Sequence, residues 1–480
     1  MTNFTSGARI TLLSQWLRFG IQLVAFVLLA RLLTPDQFGV MAMVAVVVAF
    51  ATLLADSGLT LAGLQAEFLT DQQGTNLFWL NAGAGAFAMV VVALSGPLLA
   101  LFYNDQRVVL LAMALSVSLL INGLAVQFRV AINRQKRFGV LALQDVLSAA
   151  SGLLAGAILA LNGAGYWALA GQVLAQSLTV LLMAASQASW WPGIPRREAA
   201  MRKLVRFGAD SLALQVANLL SRSVDVMAIG RVQGPEALGY YSRATQLVAM
   251  SFQQLVTPLT RVMLPRLASE ASSESFNDTL VRMQRPIVYV LFFVVSLLAS
   301  LVQPLVVLAL GADWAPMGNL VQILCVGATF QAFGYIYYWA LLAQAKTGML
   351  LISELPGRLL MIVGAVVCAG GGVTAIAWII SLGLGLIWLL STTVLAPRAG
   401  LDSKRLTLVG VWPAILFLSA FIGASVVGIL WFPDLHGTAA LPALLWMTVA
   451  WVVIASSGLL LPGIRRDVRL LLVDLRGLRP

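Results

Sequence analysis

Three arginines, Arg18, Arg222 and Arg243, sit inside long apolar stretches, each with hydroxyls and amides at helical spacing. Ser14, Gln15, Arg18 and Gln22 share one face. Ser211, Gln215, Asn218, Arg222 and Asp225 step by three and four and form the longest polar stripe. Arg243, Gln246, Gln253 and Thr257 repeat the theme. A charge within a bilayer is costly and faces an interior cavity. A guanidinium there suits a phosphate, which its planar fork holds through two hydrogen bonds. Arg18, Gln22, Asn218, Arg222, Asp225, Arg243, Gln246 and Gln253 are therefore the expected substrate-binding residues. Two structural readings stand beside this one. Arg222 and Asp225, one turn apart, could neutralise each other, and Arg243 could snorkel to an interface.

Other chemistry is sparse. Asp56, Asp145 and Asp210 are lone acids in or near apolar segments. Each could take a coupling proton or sodium ion, or serve as a satisfied helix-end carboxylate. Phe330, Phe333, Tyr335, Tyr337, Tyr338 and Trp339 could stack on sugar rings, although an interfacial aromatic belt accounts for them more simply. Glu354 and Arg358 form an i,i+4 pair of structural type. One histidine, His436, and two cysteines, Cys325 and Cys368, cannot build an ordinary zinc or haem site. The expectation is no catalytic residue, no metal and no cofactor.

These residues have to be held by helices in lipid. The 480-residue chain is 60% hydrophobic and 10% charged. Its mean hydropathy is +0.92. A net charge of +11 first suggests nucleic acid, but the basic residues lie in small groups between apolar runs, not on a polar domain. Soluble enzymes, disordered tails and nucleic-acid binders are excluded. Apolar runs of about 20 residues span a bilayer, and satisfying the backbone within each makes them helices. The fold class is an all-α polytopic membrane protein of about 14 transmembrane helices, the first at about 10–31, the seventh at 207–230 and the eighth at 237–261. Arg31, Arg107 and Arg231 lie on one side and Arg18, Arg222 and Arg243 within spans; the remaining Lys and Arg fall on the opposite side. That asymmetry places both termini in the cytoplasm. The N-terminal apolar run reads as an uncleaved first span.

A nine-residue pattern occurs twice. Arg31-Leu-Leu-Thr-Pro35-Asp36-Gln-Phe-Gly39 follows the first span and Arg231-Val-Gln-Gly-Pro235-Glu236-Ala-Leu-Gly239 follows the seventh. Proline opens a helix with its φ already set, and an acid favours the helix N-terminus. The recurrence six spans apart predicts two parallel six-helix lobes, at 1–190 and 207–396. A basic linker, 191–206, joins them, and two appended spans occupy 397–461. The tail, 462–480, places Val468, Leu471, Leu472 and Leu475 on one face and most of its arginines off it, as in a helix lying on an anionic leaflet.

Arg31–Gly39 after the first span, Asp56-Ser-Gly-Leu59, Phe78-Trp-Leu-Asn81, Gln127-Phe-Arg129 and Leu238-Gly-Tyr-Tyr241 together resemble the bacterial polysaccharide transporters. The similarity is to lipopolysaccharide and exopolysaccharide flippases of the colanic-acid-exporter-like branch, within the multidrug/oligosaccharidyl-lipid/polysaccharide superfamily. The resemblance implies alternating access in the bacterial inner membrane, moving an undecaprenyl-pyrophosphate-linked oligosaccharide to the outer leaflet for surface polysaccharide synthesis. It also implies a coupling H+ or Na+, and a polymerase and glycosyltransferases as functional partners. Related flippases use cavity arginines on the first and eighth spans, which here carry Arg18 and Arg243. An ion-coupled multidrug exporter is the alternative, for which a carboxylate-rich cavity is expected. A glycan polymerase or ligase would need acids on a large extramembrane loop, and the expected loops are short.

Overall fold

The computed structural model describes residues 2–56, 70–196, 223–432, 439–467 and 469. These are helical almost throughout, with no strand among the described residues. In chain order the helices are α1 (Thr2–Leu32), α2 (Pro35–Asp56), α3 (Asp71–Tyr103), α4 (Arg107–Arg134), α5 (Phe138–Leu161), α6 (Trp167–Ser186) and α7 (Val224–Glu270). They continue with α8 (Phe276–Ala309), α9 (Ala315–Ala343), α10 (Thr347–Val367), α11 (Val373–Leu390), α12 (Ser403–Trp431) and α13 (Ala440–Ser457). Among the described residues, 12 helical segments are long and apolar enough to cross a membrane. The chain is a multi-pass membrane protein. Most of the expected seventh span, with Asn218 and Arg222, lies outside the described residues. The expected eighth span falls within α7, which carries Arg231, Arg243, Arg261 and Arg266 and is not among the 12.

Local signals set the helix ends. The Thr70 hydroxyl accepts from the Gln73 amide at 3.2 Å while the Gln73 side chain accepts from the Thr70 amide at 3.1 Å. This capping box satisfies two otherwise unpaired groups at the start of α3. The Asp402 carboxylate caps α12 through the Arg405 amide at 3.1 Å. Prolines 97, 286, 304, 356 and 413 lie inside helices. Such breaks are tolerated in spans because packed neighbours and local adjustments satisfy the freed carbonyls.

The chain forms two compact units, Met1–Gly239 and Tyr240–Pro480. In the first, α3 packs on α4, α5 on α6, and α1 on α5. Phe78, Phe128, Ile132 and Ala184 form a buried cluster, with Trp190 packed against it. The first residues of the basic linker are fastened to α3. Asn76 exchanges hydrogen bonds with the Arg196 backbone at 2.6 and 3.0 Å, and the Trp79 indole donates to the Gly193 carbonyl at 2.8 Å.

In the second unit α8 packs against α9, α12 and α13. The buried Ser296 hydroxyl donates to the Phe417 carbonyl at 2.7 Å and accepts from the Trp451 indole at 2.9 Å. The aromatic group on α9 proves to be largely core. Tyr337 and Trp339 are among the largest fully buried side chains, and the Trp339 indole donates to Thr260 at 3.0 Å. Phe330 and Phe333 pack on Trp388. Tyr337 and Trp339 are therefore core and not an interfacial belt, because neighbouring helices cover them; Phe330 and Phe333 are half-buried and Tyr338 is exposed. Past the last span, Ile464 is buried, and Asp467 pairs with Arg285 at 3.0 Å and accepts from the Tyr289 hydroxyl at 3.2 Å.

Candidate functional site

Two features organise the charged groups of the first unit. The first is the repeated nine-residue pattern. Its two copies approach each other: a Cβ added to Gly39 would fall on the Pro235 carbonyl, and one added to Gly239 would fall on the Pro35 carbonyl. Each glycine thus admits the backbone of the other copy, as small residues do where helices meet closely. Within the second copy, Gly234 interrupts α7 at φ 83°, ψ −177°, a conformation that glycine adopts and side chains resist. That kink lets Pro235 open a new helical run, as the pattern predicted.

The acid of the first copy does more than favour a helix N-terminus. Asp36 receives both Nη atoms of Arg107, at 2.5 and 3.0 Å. Arg107 also reaches Asp105 through Nε at 3.0 Å and Nη2 at 2.7 Å, and its backbone amide donates to the same carboxylate at 2.9 Å. Partial burial raises the Asp105 pKa, but the hydrogen bonds and charge of Arg107 outweigh this and hold it below the ordinary value. One guanidinium thus serves two carboxylates, and its hydrogen-bonding edge is occupied.

The second feature reverses that ratio. The Asp145 carboxylate on α5 lies between two arginines. Its Oδ1 accepts from Arg129 Nη2 at 3.0 Å, from α4, and its Oδ2 lies 3.7 Å from Arg18 Nη1, on α1. The side chains of Arg18, Arg129 and Asp145 are 48%, 37% and 31% exposed. Asp145 was expected to be a lone acid and is not. The turn at 135–137 brings α5 back antiparallel to α4, so Arg129 and Asp145, each about two helical turns from it, sit at one level. Arg129, expected in a basic cytoplasmic cluster, is thereby the partner that sequence reasoning missed. Matched distances from a tight turn were the signal that could have found it.

The remaining expected residues distribute as follows. Gln22, one turn beyond Arg18, is exposed. Asn218 and Arg222 lie outside the described residues, so their stripe is described only at Asp225, which is half-buried and accepts from the Val226 amide at 2.9 Å. In the second unit, Arg243 donates to the exposed Gln246 side chain at 2.6 Å, and Gln253 is exposed two turns further on. Glu354 and Arg358 pair at 2.6 Å along α10, as expected. Among the described residues no group of three or more His, Cys, Asp or Glu could hold a metal ion.

Residues 28–319 match the family model described as "Polysaccharide biosynthesis protein". The teichuronic acid biosynthesis protein TuaB of Bacillus subtilis is 26% identical over 324 residues, 67% of either chain. The lipopolysaccharide biosynthesis protein WzxC of Escherichia coli is 25% identical over 437 residues, 88% of this chain and 87% of that one. The fold is that of the lipid II flippase MurJ in an inward closed conformation, with a TM-score of 0.70 at 13% identity over 94% of this chain and 98% of that one. It is also similar to an inward-facing multidrug resistance MATE family transporter of the MOP superfamily. There the TM-score is 0.61 at 14% identity, over 82% of this chain and 95% of that one.

Proposed function

The chain belongs to the polysaccharide biosynthesis protein family, and from that premise we propose that it is a flippase for a pyrophosphate-linked oligosaccharide on a long prenyl lipid. The Asp145 cluster carries the reading: two guanidiniums share one carboxylate, which leaves an excess of positive charge. A pyrophosphate is an anion that arginine forks match. Arg18, Arg222 and Arg243 are the guanidiniums this reading assigns to the pyrophosphate. Gln22, Asn218, Asp225, Gln246 and Gln253 are assigned polar contacts to the sugar or phosphates. The prenyl chain stays in lipid while two lobes, 1–190 and 207–396, rock to expose the head group on alternate sides.

The basic residues orient the protein in the bacterial inner membrane with both termini cytoplasmic. A coupling H+ or Na+ is part of this reading, and glycosyltransferases supply and a polymerase consumes the lipid-linked unit. A cation exporter of the same fold is the second reading; the arginine excess at Asp145 opposes it, because a cationic drug would be repelled there.

The test is complementation in a host that needs this protein for its surface polysaccharide. Arg18→Ala combined with Arg243→Ala is expected to abolish polymer output at wild-type membrane abundance. Normal output from that variant would remove the assignment, and transport of a cationic dye by the wild type would favour the second reading.

A further inference from the structure

Asp145 occupies an unusual position for a carboxylate in a helix bundle. Its two oxygens are divided between guanidiniums on two other helices, Oδ1 to Arg129 on α4 and Oδ2 to Arg18 on α1. The longer of the two contacts, 3.7 Å, is an ion pair without hydrogen-bond geometry. Neither arginine is gripped through two parallel hydrogen bonds, as Arg107 is by Asp36. All three side chains retain about a third to a half of their exposure, so packing within the protein does not seal them off. A carboxylate is small and carries one charge. A pyrophosphate spans two phosphoryl groups, carries more charge, and can present a pair of oxygens to each guanidinium.

We propose that Asp145 is a built-in counter-ion standing in the place of a phosphoryl group, that substrate binds by exchanging with it for Arg18 and Arg129, and that Arg129 is therefore a pyrophosphate-binding residue. The proposal rests on the pyrophosphate reading of the preceding section. On that footing Asp145 sets specificity: it competes with any anion, so a monophosphate, with less charge, displaces it poorly and a pyrophosphate succeeds. It also keeps the two arginines compensated between transport events, which limits the cost of holding two like charges close together on apolar helices.

The experiment measures binding to the purified full-length protein in lipid nanodiscs, with geranylgeranyl pyrophosphate as the probe and geranylgeranyl monophosphate as its comparator. Asp145→Asn is expected to tighten pyrophosphate binding by about fivefold, the scale of a half-exposed ion pair removed from competition. It should tighten monophosphate binding by more, narrowing the ratio between the two ligands. Arg129→Gln is expected to weaken pyrophosphate binding by about tenfold, and Arg129→Lys by less, since a point charge replaces a fork. Asp145→Ser provides the same comparison where the Asn variant does not fold. Unchanged or weaker pyrophosphate binding in both Asp145 variants would overturn the counter-ion role. Full affinity in Arg129→Gln would overturn that residue's part. If the wild type does not bind the probe saturably, the pyrophosphate reading fails. If it binds and Arg18→Gln alone weakens it, while Asp145 and Arg129 variants are indifferent, only the present inference fails.

Discussion

Two charged clusters of the first unit use the same residue types in opposite proportion. At Arg107, two carboxylates enclose one guanidinium through bonds of 2.5 to 3.0 Å, and the Asp105 side chain is 11% exposed. At Asp145, one carboxylate is divided between two guanidiniums at 3.0 and 3.7 Å, and the ions stay more accessible. The first arrangement spends its donors on the protein itself and ties the start of α2 to the turn before α4. The second leaves donors and net charge for something else. That difference is the one expected between a fastening and the proposed binding site.

The comparison breaks most decisively at the arginines of the second cluster. Arg18→Ala with Arg129→Ala is expected to reduce polymer output by at least about tenfold at unchanged abundance, since charge-assisted hydrogen bonds are worth roughly 1.5–3 kcal/mol each. Quantifying surface polysaccharide against membrane-protein level decides it; equal loss of both would make this cluster a fastening too. Gly39→Val and Gly239→Val come next. Each pushes a side chain onto a proline carbonyl of the other copy, with an expected cost of about 3 kcal/mol, the upper range for overpacking. Thermal unfolding of the purified variants measures this, and an unshifted midpoint would show that the two copies do not bear on each other.

Arg107→Ala should be milder, about 1 kcal/mol in all, because Arg107 and Asp36 are each more than a third exposed and solvent screens the pairs. It should lower the unfolding midpoint while leaving output per folded molecule intact. The smallest effect is on pH dependence. With its folded pKa below the ordinary carboxylate value, Asp105 contributes stability that is complete at neutral pH and lost as pH falls through the depressed value, below about pH 4. Unfolding midpoints followed from pH 7 downward should show a steeper acid decline in wild type than in Arg107→Gln. Parallel curves would mean that Arg107 does not hold Asp105 ionised.

The helices were legible because lipid imposes a length and an apolar composition on every span. Even so, the helices overrun the apolar runs: α3 begins at Asp71, ahead of the apolar run that starts at Leu77, because Thr70 and Gln73 cap it in polar sequence. The repeated pattern predicted two helix starts, and Gly234 and Pro35 supply them. It did not announce that the copies meet, since a glycine needed for close approach looks the same in sequence as one needed for a turn. Arg18 and Arg243 stood out in the sequence through their amide neighbours at helical spacing. Arg129 was not, because counting charge by side of the membrane assigns a residue to a loop and ignores depth. The Trp79 bond to Gly193 has no local sign at all, joining positions more than a hundred residues apart.

The pairing of Asp467 with Arg285 and Tyr289 bears on how this protein is shortened or tagged. Arg285 is 13% exposed and Asp467 10%, so this pair has few alternative partners in water. Ending the chain before residue 467 is therefore equivalent to placing an uncompensated cation in the wall of α8, and removal of one member of a buried pair is strongly destabilising. A truncation intended to probe the basic tail would instead report on assembly and on clearance by membrane proteases. Deletions that begin after Asp467 separate those two outcomes.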